Sequence, residues 1–302
     1  MTDRLPTTGP ASIVVGIATS GRRDVLRDTL VQLDKQERRP QRILICPSTE
    51  DDVDWGHAAS LTIPAERIDG QKGSSAQRNA ILNAAGNPDL IVFFDDDYLP
   101  TDRFIVEVEQ LFRQQPDIVA ATGDVLADGV HGSGIGLEEA LAVLARDRPP
   151  QTAEIRAVEN TYGCNMVFRM AAIRRVGARF DENLPLYGWQ EDVDFCGQLA
   201  GEGRIVHATA LRGVHRAVKR GRTSGVRFGY SQVANTVYLA RKGTMRRARA
   251  WRLSVPPVAA NLVCSLLPQT LIDRRGRLKG NLLALWDLAR GRLDPRRILS
   301  LD

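Results

Sequence analysis

Short apolar runs alternate with amphipathic segments through roughly the first 120 residues, and this alternation constrains the fold more than any other feature of the chain. The runs "IVVGI", "ILIC" and "LIVFF" have the length of buried strands, and apolar residues at helical spacing follow the first of them. This order predicts an α/β fold with a mostly parallel sheet flanked by helices. Because ligands bind at the carboxyl ends of strands in such sheets, we expect Thr19, Ser48 and Asp95 to be neighbours.

The charge of the chain divides it into an acidic body and a basic tail. Residues 203–302 contain 21 Lys and Arg and 4 Asp and Glu, whereas residues 1–202 contain 20 Lys and Arg and 32 Asp and Glu. We predict one domain over residues 1–245, followed by a basic helical extension over 246–302. Basic tails of this kind are typical of proteins that meet anionic lipid, nucleic acid or phosphate groups.

Cysteine usage and hydropathy indicate the compartment. The four cysteines are far apart and form no CxxC pair, which is typical of thiols in a reducing environment. The start "MTDRLPTTGPAS" lacks the apolar core of a signal peptide. No stretch reaches the roughly 18 apolar residues that a membrane-spanning helix needs. We therefore expect a cytoplasmic protein.

Three adjacent aspartates, Asp95, Asp96 and Asp97, end the third apolar run. Neighbouring carboxylates repel one another, and burying any of them without a partner is costly, so we expect positive groups to meet them. At the end of a strand they are well placed to hold a divalent cation through oxygen ligands. The alternative is a solvated acidic turn that caps the next helix.

The segment "GSSAQRN" predicts the start of a helix, with Ser74 or Ser75 as its N-cap. The free backbone N–H groups after Gly73 are suited to an anion, and Arg78 and Asn79 lie about one turn further on, within reach of the same crevice. The alternative is an ordinary capped amphipathic helix.

The segment "LYGWQEDVDF" places Glu191 and Asp192 at the start of a helix, directly after an aromatic loop that contains Trp189. Two carboxylates beside an aromatic wall suit a general base and its support, because a base must take a proton from a bound hydroxyl. The alternative is that acidic residues merely complement the helix dipole.

The segment "GVHRAVKRGR" combines a histidine with a basic loop. His215 as a neutral imidazole is a candidate metal ligand. The basic residues that follow are candidates to clamp a phosphate leaving group, and they are Arg216, Lys219, Arg220 and Arg222. The alternative is a surface histidine in a solvated loop.

Taken in order, "TSGR", "GSSAQRN", "DDD", "YGCNMVFR", "FDENLPLYGWQEDVDF" and the histidine with its basic residues resemble family 2 glycosyltransferases of the GT-A fold. The resemblance covers roughly residues 12–245, and its specificity lies in the combination. It implies a Rossmann-like mixed sheet, with a nucleotide-sugar-binding half at 12–125 and an acceptor and catalytic half at 126–245.

The resemblance implies roles for named residues. Asp192 matches the catalytic base, with Glu191 beside it, and Asp95, Asp97 and His215 match ligands to Mn²⁺ or Mg²⁺. The positions implied to contact the nucleotide sugar are Thr19, Arg22, Gly73, Arg78, Asn79, Asp95, Asp96, Gly163, Asn165, Trp189 and Arg220. The implied reaction is a single displacement that inverts the anomeric configuration. The implied partners are a nucleotide-diphosphate sugar and a saccharide or lipid-linked saccharide, in bacterial polysaccharide or glycolipid synthesis.

One departure from the family pattern concerns the nucleotide base. The second strand of these enzymes commonly ends in an acidic residue that recognises the base or ribose, whereas this chain has Cys46, Pro47 and Ser48 there. Asp51 and Asp52 are the candidates to replace it. The resemblance therefore leaves the identity of the base open.

The extension carries an apolar helical face formed by Leu278, Leu282, Leu285, Trp286 and Leu293, with basic residues around it. Such a face suits an anionic membrane surface, which would place the protein at the inner side of the cell membrane. The alternative is packing on the protein's own core or on a second subunit in a homodimer.

Three rival functions stay open at this point. A nucleotidyltransferase would use a similar sheet and metal, but "IATSGRRD" lacks the glycine-rich basic loop of that class. A non-catalytic nucleotide-sugar-binding or membrane-tethered scaffold would not need the Glu191–Asp192 pair. Nucleic-acid binding would use the basic tail, but the tail contains no groove-reading motif, and we expect no nucleic-acid partner.

Overall fold

The computed structural model describes residues 9–218, 224–266 and 272–301. In these ranges one sheet contains nine strands. The strands are β1 (Ile13–Thr19), β2 (Arg42–Pro47), β3 (Ala65–Arg67), β4 (Leu90–Asp95), β5 (Tyr98–Pro100), β6 (Ile118–Asp128), β7 (Ile155–Ala157), β8 (Asn165–Arg169) and β9 (Arg204–His215).

Helices cover both faces of the sheet and form a separate layer near the carboxyl terminus. They are α1 (Arg23–Asp34), α2 (Trp55–Ser60), α3 (Ser74–Ala84), α4 (Phe104–Gln114), α5 (Leu137–Arg146), α6 (Met170–Val176), α7 (Glu191–Leu199), α8 (Gly225–Lys242), α9 (Arg247–Cys264) and α10 (Arg274–Ala289). Short 3₁₀ turns occur at Glu50–Asp52, Gly129–His131 and Pro295–Ser300.

The sheet is mixed, in the order β3-β2-β1-β4-β8-β6-β9-β5, with β7 paired to β9. The run from β3 to β4 is parallel, and β6 is parallel to β9. β8 is antiparallel to both β4 and β6, while β5 and β7 are antiparallel to β9. The predicted α/β architecture, a mixed sheet with flanking helices, is confirmed.

The central strands β1 and β4 are apolar on both faces because helices cover both sides of the sheet. One core cluster contains Ile17 and Phe94, and the cluster on the opposite face contains Val14 and Phe93. Gly16 lies where a methyl group would come within 2.7 Å of Ile81, so α3 packs unusually close to the sheet. This close approach brings the start of α3 to the carboxyl ends of the strands.

The predicted neighbours at those ends do meet. The backbone N–H of Ser48 donates to the carbonyl of Thr19 at 3.0 Å, and Asp95 is paired with Ala18 in the adjacent strand. The crevice outside β1, β2 and β4 is therefore lined by the first loop, by the residues after β2 and by the aspartates.

The carboxyl-terminal helices pack on α8 through a close backbone crossing. A methyl group on Gly280 of α10 would lie 2.1 Å from the carbonyl oxygen of Val226, and one on Gly229 of α8 would lie 2.0 Å from that of Arg277. The buried ring of Tyr230 fills the space beside this crossing, and its hydroxyl donates to Asp287 at 2.8 Å. Within the described ranges, no helix has both the length and the apolar character needed to cross a bilayer.

Candidate active site

Each of the three adjacent aspartates meets a cationic side chain. Arg22 forms ion pairs with Asp96 and with Asp97, both at 2.8 Å. Arg78 pairs with Asp95 at 2.8 Å. The expectation that positive groups offset the repulsion among these carboxylates is confirmed.

The three carboxylates point in two directions. Asp96 is fully buried and accepts a hydrogen bond from the hydroxyl of Thr19 at 2.6 Å. Asp95 and Asp97 lie instead with His215, in a cluster where the three ligand atoms are all within 4.8 Å of one another. The first and third aspartates therefore share one site, and the middle one anchors the loop after β1.

His215 is oriented by a fourth carboxylate. Its Nδ1 lies 3.0 Å from Asp128 at the end of β6, and its Nε2 lies 3.5 Å from Asp97. Burial disfavours the imidazolium, but hydrogen bonds with Asp128 and Asp97 outweigh it and raise the pKa of His215 to about 10. Asp128 was not anticipated from the sequence, because only the pairing of β6 with β9 brings it to His215.

The residues of this cluster fit a divalent cation. Two carboxylates and an imidazole form a donor set of the kind that Mn²⁺ or Mg²⁺ accepts. Apart from its 3.5 Å contact with Nε2 of His215, Oδ1 of Asp97 is buried without a hydrogen-bond donor among the described residues. A proton on Nδ1 of His215, donated to Asp128, leaves Nε2 available as a ligand once the imidazole is neutral.

Arg78 joins the aspartates to the start of α7. Its side chain is 5% exposed and pairs with Glu191, which is 7% exposed, as well as with Asp95. The hydroxyls of Ser74 and Ser75 donate to Glu191 at 2.5 and 2.9 Å. These serines therefore do not cap α3 as predicted, and the N-cap position falls to Gly73. Glu191 is committed to this buried network.

Asp192 has a different environment from its neighbour. It is half-buried, and its carboxylate accepts hydrogen bonds from the N–H of Val193 at 2.9 Å and from Asn160 at 3.3 Å. Burial raises the pKa of Asp192, against the opposing effects of that N–H, Arg78 and Arg249. A carboxylate with a raised pKa beside open space is suited to accept a proton.

The extension contributes a residue to the surroundings of Asp192. Arg249 of α9 donates to the side-chain oxygen of Asn160, whose amide nitrogen donates to Asp192. Arg249 also pairs with Glu159 at 3.0 Å. No sequence signal marks Asn160 or Arg249, since one lies in an irregular loop and the other in the tail.

The loop before α7 has an unusual backbone. Leu186, Gly188 and Gln190 all have positive φ angles, between 61° and 71°. This conformation is rare for residues with a side chain. Tyr187, which lies between two of these residues, is 62% exposed.

Trp189, the predicted aromatic wall, packs on α8. Its ring lies 5.5 Å from that of Phe228, and its carbonyl accepts a hydrogen bond from Asn235 at 2.7 Å. The indole is half-buried in this position. Its contact with a nucleotide sugar therefore stays a prediction, and Tyr187 of the same loop is the more exposed aromatic residue.

Two asparagines from the predicted set are buried and hydrogen-bonded within the protein. Asn79 bonds to the backbone of Phe180 and to Glu182. Asn165 accepts from Thr122 and donates to the hydroxyl of Tyr98 at 3.0 Å. Both side chains hold neighbouring segments in place.

Two predicted glycines border the crevice. The carbonyl of Gly163 accepts a hydrogen bond from Arg78 at 3.3 Å, and the side of this residue where a side chain would point is open. Gly73 has a φ of 130°, which favours glycine, and it lies against Leu186. Arg220, with Lys219 and Arg222, lies outside the described residues.

The two acidic residues proposed to contact a base or ribose, Asp51 and Asp52, differ in whether their carboxylates are free to do so. Asp52 is buried, and its two oxygens accept hydrogen bonds from the backbone N–H groups of Gly21 and Thr49 at 2.7 and 2.8 Å. It therefore holds the first loop in place. Asp51 is exposed and remains the candidate for contact with a base or ribose.

The mixed sheet with helices on both faces is the GT-A fold of glycosyltransferases. The family model described as "Glycosyltransferase like family 2" matches residues 10–292, and the chain belongs to this family. No curated protein sequence matches the chain.

Solved structures share the fold at low sequence identity. Mannosyltransferase PcManGT from Pyrobaculum calidifontis, in complex with GDP-Man and Mn²⁺, is 14% identical with a TM-score of 0.59, covering 97% of this chain and 86% of that one. Residues 1–349 of S. aureus TarS are 12% identical with a TM-score of 0.56, covering 96% of this chain and 83% of that one. The same TarS fragment in complex with UDP is 14% identical with a TM-score of 0.55, covering 96% of this chain and 90% of that one.

The different environments of Glu191 and Asp192 predict opposite effects on stability. Glu191→Gln leaves the buried charge of Arg78 poorly compensated, and we expect it to lower the free energy of unfolding by about 1–3 kcal/mol. Asp192→Asn removes a carboxylate whose charge is disfavoured by burial, so at neutral pH we expect unchanged or slightly higher stability. Urea denaturation measures both, and equal losses in the two variants would contradict this division.

Proposed function

We propose that the protein is a metal-dependent inverting glycosyltransferase. In this proposal it moves a sugar from a nucleotide-diphosphate sugar to a hydroxyl of a saccharide or lipid-linked saccharide. The observation that carries the proposal is that Arg78 connects Asp95 of the metal-fitting cluster to Glu191, the residue beside Asp192. A cation site and a candidate base therefore border one crevice.

The donor is proposed to bind at the carboxyl ends of β1 and β4. A divalent cation held by Asp95, Asp97 and His215 would neutralise the diphosphate and so assist its departure. Arg22 sits at the same edge with its side chain 25% exposed, where it offers positive charge to a phosphate. Binding of GDP-Man with Mn²⁺ by PcManGT and of UDP by TarS, on the same fold, supports this donor class.

Asp192 is proposed to activate the acceptor. Its carboxylate takes the proton from the acceptor hydroxyl, while Asn160 and the N–H of Val193 hold the carboxylate in one orientation. Glu191 does not take part in proton transfer in this proposal, because its oxygens are engaged by Arg78, Ser74 and Ser75. It positions the first turn of α7.

The reaction is then a single displacement. The acceptor oxygen bonds to the anomeric carbon as the bond from that carbon to the diphosphate oxygen breaks, and the product has inverted configuration. We place the reaction in bacterial polysaccharide or glycolipid synthesis and in the cytoplasm. The buried thiols of Cys46, Cys164 and Cys196, which form no disulfide, are compatible with a reducing compartment.

The donor site is tested by thermal shift with UDP, GDP, dTDP, CDP and ADP, each with and without Mn²⁺ or Mg²⁺. Ligands that bind only the folded state raise the melting temperature by mass action. We expect one nucleotide to give a shift that needs the metal and is lost in Asp97→Asn. Asp117→Asn is the matched control, since Asp117 directly precedes β6, at the end of the strands opposite the aspartates, and makes an exposed pair with Arg204. A shift that is independent of metal, or kept in Asp97→Asn, would overturn the proposed site.

The part played by Arg249 is tested by the pH dependence of kcat/KM. Arg249→Met removes a cation that favours the charged form of Asp192, so the pKa of the base rises and the acidic limb moves to higher pH, by up to about one unit. Arg249→Lys should retain most of the wild-type profile. Arg252→Met, an exposed arginine on the same helix, is the control. A wild-type profile in Arg249→Met would show that this arginine does not act on the base.

A further inference from the structure

The outward side of α9 is apolar and exposed. The segment from Leu253 to Leu266 contains no charged residue. Trp251, Leu262, Val263 and Leu266 are 71%, 58%, 65% and 84% exposed. The spacing of the first three places them along one side of α9, opposite the buried Ala250 and Asn261, and Leu266 follows just after the helix ends.

α10 extends this apolar surface. Leu282, Leu285 and Trp286 are 57%, 42% and 55% exposed. A groove of about 600 Å³ lies between the end of α9 and α10, and its lining includes Leu266, two residues after α9, with Leu278 and Leu282 of α10. We call the exposed side chains of Trp251, Val255, Leu262, Val263, Leu266, Leu282, Leu285 and Trp286 the apolar face. Exposed apolar side chains in such number on two packed helices indicate an interaction site.

Cationic side chains border the apolar face. The exposed basic residues of the two helices are Arg247, Arg252, Arg275, Lys279 and Arg290. The guanidinium of Arg290 lies 4.1 Å from the ring centre of Trp286. Arg275 and Lys279 line the groove itself. The border is therefore positive on both helices.

The carboxylates of α10 and its N-cap are engaged elsewhere. Asp287 is buried, where it accepts a hydrogen bond from Tyr230 and pairs with Arg297. Asp273 caps the start of α10 by accepting from the N–H of Gly276 at 2.7 Å. α9 contains no acidic residue at all. In the described part of these helices and the α10 N-cap, Asp273 is thus the one exposed carboxylate beside the basic side chains of the border.

We propose that the apolar face docks on an anionic lipid bilayer. Apolar side chains would enter the boundary between headgroups and acyl chains, tryptophans would lie at that boundary, and the basic border would meet anionic headgroups. A second copy of this chain fits the surface less well. A two-fold contact through the same face would set basic border against basic border.

Docking by this face would bring the active site to the membrane. Arg249, on the inner side of α9, bonds to Asn160 beside Asp192, while Trp251 on the same helix is exposed. The same helix thus contacts both the surroundings of the base and, in this proposal, the bilayer. We therefore expect an acceptor with a lipid anchor. This expectation rests on the proposed function, whereas the docking proposal is independent of it.

The test is flotation of the full chain with vesicles of phosphatidylcholine alone or mixed with phosphatidylglycerol. We expect binding to the anionic vesicles that weakens as salt is added, and much weaker binding to the neutral ones. The double variant Leu262→Ser/Leu266→Ser and the double variant Lys279→Glu/Arg290→Glu should each reduce binding at least about tenfold. Val31→Ser is the matched control, because Val31 is an exposed apolar residue of α1, outside the face.

Two results would overturn the docking proposal. One is an absence of binding to anionic vesicles by folded protein. The other is a dimer in light scattering that Leu262→Ser/Leu266→Ser converts to a monomer, which would assign the face to a second copy. The metal-dependent shift in melting temperature with nucleotide, measured on the same samples, separates the two proposals. If the shift is present but the protein does not bind vesicles, the docking proposal alone is wrong. If the protein binds vesicles but shows no such shift, the proposed donor site alone is wrong.

Discussion

The buried guanidinium of Arg78 is the group on which the site depends most. It pairs with Asp95 at the end of β4 and with Glu191 at the start of α7, and it donates to the carbonyl of Gly163. A buried charge is tolerated only when it is well paired. Removing either carboxylate would leave the guanidinium of Arg78 buried with too few partners, which would destabilise the fold. This one side chain, from the first turns of α3, therefore fixes the three segments that surround the proposed donor and acceptor.

The sequence predicts this site where chemistry is local and fails where partners come from distant elements. Apolar runs identify β1, β2 and β4, and the repulsion within Asp95–Asp97 predicts the cations that meet it. The roles of Asn79 and Glu191 could not be separated from those of their neighbours, because their partners at Phe180 and Ser74 are set by packing between α3, α7 and the loops. Asp128 and Arg249 enter through strand pairing and through the extension, neither of which has a local signal.

The extension has two chemically different sides, and the difference connects packing with function. Its inner side docks on α8 through glycines that allow the backbones to touch, and it brings Arg249 to the network around Asp192. Its outer side keeps large apolar residues in contact with water, which costs free energy unless a partner covers them. A membrane-facing enzyme would use both sides at once, one to support the base and the other to find the surface that carries its acceptor.

We propose that His215, Asp95 and Asp97 hold the cation to which the nucleotide diphosphate binds. Pulsed electron paramagnetic resonance of Mn²⁺ bound in the presence of UDP or GDP tests it most directly, because a coordinating imidazole gives a ¹⁴N coupling. We predict this coupling in the wild-type protein and its loss in His215→Asn. Bound Mn²⁺ without a nitrogen coupling, or a coupling unchanged in His215→Asn, would contradict the account.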